Sequence, residues 1–536
     1  MASSSIMRKL KMAASVAGEA AAKKVSVEQV IEQRFQQKVS RREFLQNALM
    51  ATAVMAVPPA VWNLGTRIAH AKTSPRVAVV GAGLAGLTCA YRLKQAGILA
   101  DVYEASTRVG GRCFSKTDGF ANGQIIERGG ELINSDHQAL LRIISELNLR
   151  VDDLWEAEKP GTEFKLYMNG DFYSLEEIGN AFTEIWDKLQ KDVRKAGYPT
   201  LYNNYTRGGW ELDHMSVIDW IEETIPNGVN SKFGHLIDVA YMSSVGLESK
   251  NVSAITLING MGQSSRNEFE PFGPSDERYH VRGGNGQVPE GLARMLKDQI
   301  YTSAPLNAVS QNSDGSYTLG FSGSTQNVKA DLVVLALPVA TLRDVDLSRA
   351  GFRRLKLTAI EEMGVATNSK LAVQFTDRHW EDLGSSGAIV SDVFQNSWDA
   401  TRGQSGTSGI LINFTGGPAG LSFKTGSPKS HATEFLQQIE PMLPGLTDKW
   451  NGKATVDCWP AYKWTKGSYS CYKVGQYTKF GGIMGEPEGN CFFAGEHTSL
   501  QYQQFMNGAV ETGERAAQEV LSRLQETASI STEQRV

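Results

Sequence analysis

Four apolar residues stand in a row from Val77 to Val80, with no polar position between them. That pattern predicts a strand buried on both faces. A glycine-rich stretch follows, and the period then changes. Gly86, Cys89, Ala90, Leu93 and Ala96 recur on one face of a helix. Their mostly small side chains let that helix lie close to a sheet. A second strand ends at Glu104. The buried-strand pattern returns in ADLVVLALP, ending at Pro338, and in NCFFAG, which precedes a helix from near Phe505 to about Leu524. Residues 151–278 instead mix polar turns with helical patterns and hold no nucleotide motif. At 536 residues the chain is long enough to split into two or more packed units.

The first 71 residues follow a different pattern. Val27, Val30, Ile31 and Phe35 recur at helical spacing and predict an amphipathic helix over Val25 to Lys38. Ser40-Arg41-Arg42-Glu43-Phe44-Leu45 then forms a twin-arginine pattern. A moderately apolar stretch from Ala48 to Val61 leads to Ala69-His70-Ala71, a small-residue cleavage site. That stretch is shorter than the roughly 20 residues a membrane-spanning helix needs. Residues 1–42 carry net charge +6, whereas residues 72–536 carry −10. A basic leader on an acidic body is the layout of a chain exported by the twin-arginine machinery to the periplasm or beyond. The total of −4 gives no general attraction to nucleic acid. Five cysteines, none in a Cys-x-x-Cys pair, indicate neither a disulfide framework nor a zinc site, and one disulfide stays open. No metal is implied.

The glycines after the first strand read Gly81-x-Gly83-x-x-Gly86. Gly81 permits the tight turn, Gly83 lets backbone approach a pyrophosphate, and Gly86 lets helix pack on strand. The helix N-terminus offers free N–H groups and a positive dipole end to phosphate. Glu104, closing the second strand, can accept hydrogen bonds from ribose hydroxyls. Strand, turn, helix and acid together specify a dinucleotide site on a doubly wound, Rossmann-like α/β sheet. A second glycine pair in Arg108-Val109-Gly110-Gly111-Arg112 suits an extended dinucleotide whose phosphates need further neutralising.

From about Arg76 to Leu524 the chain resembles the flavin-dependent amine oxidase family, which includes monoamine, polyamine and L-amino-acid oxidases. Four ordered motifs carry the resemblance: GAGLAG with Glu104 and RVGGR; Glu127-Arg128-Gly129-Gly130-Glu131; Val281-Arg282-Gly283-Gly284-Asn285-Gly286 with Pro305-Leu306 and ADLVVLALP; and Phe493-Ala494-Gly495-Glu496 with Phe505-Met506-Asn507-Gly508-Ala509. It implies two domains that the chain enters several times. Segments 72–150, 279–345 and 455–525 would bind FAD, and 151–278 and 346–454 would form an α+β substrate domain, with 526–536 a disordered tail. Besides the fingerprint glycines and Glu104, the implied cofactor contacts are Ala105, Arg112, Gly129, Gly130, Leu306, Glu496 and Met506. The N–H of Met506 would meet the pyrimidine side of the flavin, where the final helix dipole stabilises the negative charge of reduction.

The resemblance also implies the reacting residues. Lys370 would lie beside flavin N5, hold a water and aid reoxidation. Tyr469 and Phe505 would form the two walls of an aromatic cage, with Trp459 and Trp464 as further candidates to line it. Ser468 stands where some monoamine oxidases carry the cysteine that bonds FAD, so the cofactor would be non-covalent. The implied reaction takes hydride from the carbon beside an amine nitrogen and leaves an imine, which water hydrolyses. Leu132 stands where L-amino-acid oxidases place a carboxylate-binding arginine, which favours an amine over an amino acid. An amino-acid oxidase or a desaturase-like FAD enzyme remains the alternative. Glu268, Glu270, Asp276 and Glu277 form an acidic cluster that suits either a polyamine or a solvated loop. His280 and His497 read as structural. Electrons could pass to oxygen or to a periplasmic carrier, and a homodimer is left open.

Overall fold

The structure is a computed structural model that describes residues 75–262, 275–323 and 325–533, with positions 23, 25, 26, 29 and 30. The twin arginines, the cleavage site, most of the leader helix and Glu268 and Glu270 lie outside the described residues.

One sheet has five parallel strands in the order Cys491–Phe493, Leu332–Leu335, Val77–Val80, Ala100–Tyr103 and Ile300–Tyr301. Its strands come from three separated stretches of chain. Val77–Val80 and Leu332–Leu335 are buried at every position, as unbroken apolar runs require. On one face lie the fingerprint helix Leu84–Gln95 and the last helix Met506–Glu533, packed together through residues such as Cys89, Leu93, Val510 and Ala517. On the other face, Val80, Val333 and Leu335 meet Val309, Leu319 and Phe321 of a four-stranded sheet.

A second sheet has seven strands in the order Trp450–Cys458, Ser369–Phe375, Gly409–Thr415, Gln395–Asp399, Ser385–Ser391, Glu163–Met168 and Asp171–Phe172. Its neighbours run antiparallel, except that Ser385–Ser391 and Glu163–Met168 are parallel. Helices between Leu175 and Gly262 cover one face around Trp220, Phe233 and Trp398. The helix Pro428–Ile439 covers the other. Together the sheets make an α/β fold with a parallel dinucleotide sheet and a mixed second sheet.

Two expected boundaries need correction. A division between 454 and 455 would cut the strand Trp450–Cys458, which is paired along its length with Ser369–Phe375. The last helix runs on to Glu533, so the stretch from 526 does not begin a disordered tail. Nothing after Leu524 breaks a helix: there is no Gly or Pro before the C-terminus. All five cysteines are free, which closes the open question of a disulfide.

Candidate functional site

The glycine turn sits where the parallel sheet delivers the end of its first strand. Gly81 has φ +103°, a conformation that a side chain would strain. A Cβ on Gly86 would lie 2.0 Å from Gly81 O, so the fingerprint helix rests directly on the turn. Gly83 is the opposite case, with no atom within 4 Å of where its Cβ would be. Gly83 caps the helix, no side chain bonds the cap and no acid occupies the first turn. Free N–H groups and the positive helix end therefore face an open space, as a phosphate requires. Glu104 is pinned beside it: one oxygen accepts the Ala82 N–H at 2.8 Å and the other the Ser106 N–H at 2.8 Å. Each oxygen retains capacity for a further hydroxyl donor.

Both arginines of the second glycine pair are committed to protein. Arg108 donates to Val109 O and Gly111 O and lies 3.9 Å from the Phe114 ring centre. Arg112 donates to Ser468 O at 2.8 Å and to Glu496 at 2.9 Å. Glu496 also accepts from Ser470 Oγ and the Gln504 N–H. Burial works to raise its carboxyl, but Arg112, with His497 and the Ser470 hydroxyl, holds it below the usual glutamate range. This knot ties the first glycine segment to the loop carrying Ser468 and Tyr469.

At the far end stands Lys370, buried on the strand Ser369–Phe375. Its ammonium donates to Glu127 O at 3.1 Å, Gly129 O at 2.8 Å and Glu131 Oε2 at 2.7 Å. The other Glu131 oxygen accepts from Trp398 Nε1 at 2.8 Å. Burial pushes the Glu131 carboxyl up, but Lys370 and Trp398 outweigh it and hold the group below its ordinary range. Phe414 faces Lys370 across the strand pair. Tyr469 donates its hydroxyl to Ser244 O at 2.5 Å, and Trp459 donates to Arg128 O at 2.9 Å. Phe505 packs at 5.0 Å on the ring of His137, which burial keeps neutral by lowering its pKa to about 3.

These groups surround one cavity of about 310 Å³. Gly81, Gly83, Glu104, Ala105, Arg112, Gly129, Gly130 and Leu306 line it, as do Lys370, Trp459, Tyr469, Glu496, Phe505 and Met506. Gly86 does not, because it lies on the face of the helix packed against Gly81 and Val79. Ser468 and Trp464 also line the cavity; Cys471 is buried elsewhere, on a strand paired with Gly364–Val365. Sequence reasoning missed Phe414, Tyr462 and Cys113 in the wall, and Glu131 and Trp398 behind Lys370. Glu131 stood in a quoted motif, but nothing local marked it as the partner of a residue 239 positions away. His280 bonds Glu127 at 2.9 Å; burial lowers its pKa, and Glu127 more than reverses this. His497 is buried, with a pKa lowered to about 4. Neither histidine lines the cavity.

A parallel dinucleotide sheet, a glycine cradle and a cavity closed by a second domain's sheet define the class of nucleotide-dependent two-domain oxidoreductases. Within that class, the chain belongs to the flavin containing amine oxidoreductase family, whose sequence pattern matches residues 84–521. FAD is the cofactor that membership implies. The chain is similar to an L-amino acid dehydrogenase of Synechocystis sp., 24% identical over 83% of this chain and 94% of that protein. It is also similar to the nicotine dehydrogenase of Pseudomonas putida, 25% identical over 90% and 97% of the two chains. Its fold is similar to that of cyclohexylamine oxidase from Brevibacterium oxydans, with TM-score 0.72, 21% identity, and 84% and 100% of the two chains covered.

Proposed function

We propose that this protein oxidises an amine at the carbon beside the nitrogen, with FAD held non-covalently. One observation carries the reading: a single cavity joins the Gly83 cradle and Glu104 to Lys370, Tyr469 and Phe505. The cradle fits FAD, since the space a Cβ at Gly83 would enter is empty and uncapped N–H groups face it. Gly83 and the helix N-terminus would hold the pyrophosphate, Glu104 the ribose, and Met506 the ring end. Bound there, FAD would supply a hydride acceptor. Ser468 donates its hydroxyl to Asn368 at 2.8 Å and has no thiol with which to bond a flavin.

The protein's own task is to bind the amine in its reactive form. Alkyl amines have pKa values near that of lysine, about 10.4. A protonated nitrogen has no lone pair to assist loss of hydride. Desolvation among Trp459, Tyr469, Phe505 and Phe414 disfavours the cation and raises the neutral fraction. Water then hydrolyses the imine to a carbonyl compound and ammonia or a smaller amine. The Synechocystis relative is named for L-amino acids, and that substrate is the second reading. It is the weaker one, because both arginines lining the cavity are bonded to protein groups and Leu132 is buried outside the wall. The basic leader with Arg41-Arg42 supports export of the folded protein to the periplasm.

Anaerobic bleaching of the bound flavin tests the reading. Amines, polyamines and L-amino acids would be added singly to the purified holoprotein. Rapid bleaching by an amine, faster at higher pH, is the expected result. Bleaching by amino acids alone would transfer the conclusion to the second reading.

A further inference from the structure

We propose that Glu131 cancels the charge of Lys370 toward the flavin, so that oxygen is a poor oxidant of the reduced enzyme and a one-electron carrier takes its electrons. The inference rests on the FAD reading above. With the diphosphate at Gly83 and the ribose at Glu104, the ring system must extend toward the aromatic end of the cavity. Of the cations in the wall, which also include Arg108, Arg112, Lys463 and Lys466, Lys370 is the one bonded to Gly129 O and facing Phe414.

An ammonium has three N–H groups. Those of Lys370 have three protein acceptors, at 2.7, 2.8 and 3.1 Å. None is left over for a water or for a reduced oxygen species. The carboxylate is equally fixed, because Trp398 holds its second oxygen. Lys370 and Glu131 are 3% and 5% exposed, so solvent does little to uncouple them. Seen from the cavity, the pair is a dipole of zero net charge, and its field falls off faster than that of a lone cation.

This matters for one acceptor and not for the other. To become hydrogen peroxide, oxygen must take two electrons from the reduced cofactor, with one proton from it and one from solvent. The first electron turns neutral oxygen into an anion in a buried site, and a fixed unpaired cation would stabilise that charge. Two molecules of a one-electron carrier can instead take one electron each, with the proton released to solvent. That route places no anion beside Lys370.

The test compares two oxidants on holoprotein reduced by dithionite, which reduces bound flavin whether or not an amine does. Failure of the amine reading therefore leaves this test intact. In the unmutated protein, ferricyanide should reoxidise the flavin at least tenfold faster than air-saturated buffer. Sulfite, which adds to flavins whose negative charge is stabilised, should form little adduct. In Glu131→Gln, the ratio of oxygen rate to ferricyanide rate should rise at least tenfold, and sulfite should bind more tightly. Glu131→Asp, which keeps the charge, should retain the unmutated ratio. Reoxidation of the unmutated protein as fast by oxygen as by ferricyanide would overturn the proposal, even if no variant folds. So would a Gln variant with an unchanged rate ratio and unchanged sulfite affinity.

Discussion

At one end of the cavity the main contacts come from a single stretch between Val77 and Glu104, the backbone of the glycine turn and one carboxylate, with Gly110, Leu306 and Ala336 beside them. At the other end it is side chains drawn from five separate places, Lys370, Phe414, Trp459, Tyr469 and Phe505, with Glu131 behind the lysine. The first end binds a group that every dinucleotide shares, so bare N–H groups and empty space suffice. The second must hold buried charge and aromatic faces in register, which only long-range packing can do. Damage should therefore differ in kind. Changes at the side-chain end should cost fold stability through unpaired charge, and changes at the backbone end should act on cofactor retention.

The largest effect is expected from Lys370→Met. It leaves Glu131 buried without its cation, at a cost of about 3–5 kcal/mol. The sign with pH should also invert. In the unmutated protein the folded-state pKa of Glu131 is depressed. Its stabilisation is therefore present above the unfolded pKa and lost as pH falls through the folded value. In the variant, burial, the largest influence on this carboxyl, is opposed only by the Trp398 hydrogen bond and His280, and raises the folded pKa above the unfolded one. The variant should then gain stability as pH falls toward the unfolded pKa, and its deficit should be greater at pH 8 than at pH 5. Thermal melts of both proteins across that range check this; parallel curves would show that the pair carries no charge.

Next in size is a pair of alanine substitutions within the glycine turn. Gly86→Ala drives a Cβ against Gly81 O and should cost about 1–3 kcal/mol, with loss of FAD. Gly83→Ala meets no atom within 4 Å, and its φ of −80° suits alanine. Its melting point should stay within about 0.5 kcal/mol of the unmutated protein. Its FAD affinity should nevertheless fall about tenfold, equivalent to about 1.4 kcal/mol. Flavin content against melting temperature separates the two. Equal destabilisation would mean that the space over Gly83 is not reserved for a ligand.

The smallest effect is expected for Glu104→Gln. The amide can accept at one oxygen only, so either the Ala82 or the Ser106 N–H loses its partner. FAD titration of the apoprotein should show about 1 kcal/mol of lost affinity, roughly fivefold. Unchanged affinity would count against the ribose contact.

Much of this arrangement was legible before any fold was known, and unevenly so. Val77–Val80, Leu332–Leu335 and Cys491–Phe493 announce themselves as buried strands because each is apolar without alternation. Lys370, Tyr469 and Phe505 could be placed only through resemblance, since a lone lysine or tyrosine carries no local mark of its neighbours. Phe414 went unnoticed for the same reason: on an all-buried strand, Gly409–Thr415, any apolar residue satisfies the pattern. The seven-stranded order, with Glu163–Met168 inserted beside Ser385–Ser391, had no sequence signal at all.

The sequence by itself determined the dinucleotide cradle, because a turn, a helix start and a strand-end acid act through contiguous backbone whose geometry follows from residue type. Tertiary structure alone decided that Lys370 meets Glu131 and Trp398, which lie on separate segments, with the lysine fixed by the register of its strand. Whether that lysine presents a charge to the cavity depends on this pairing, because a buried cation's field is set by the nearest counter-charge and not by its own identity.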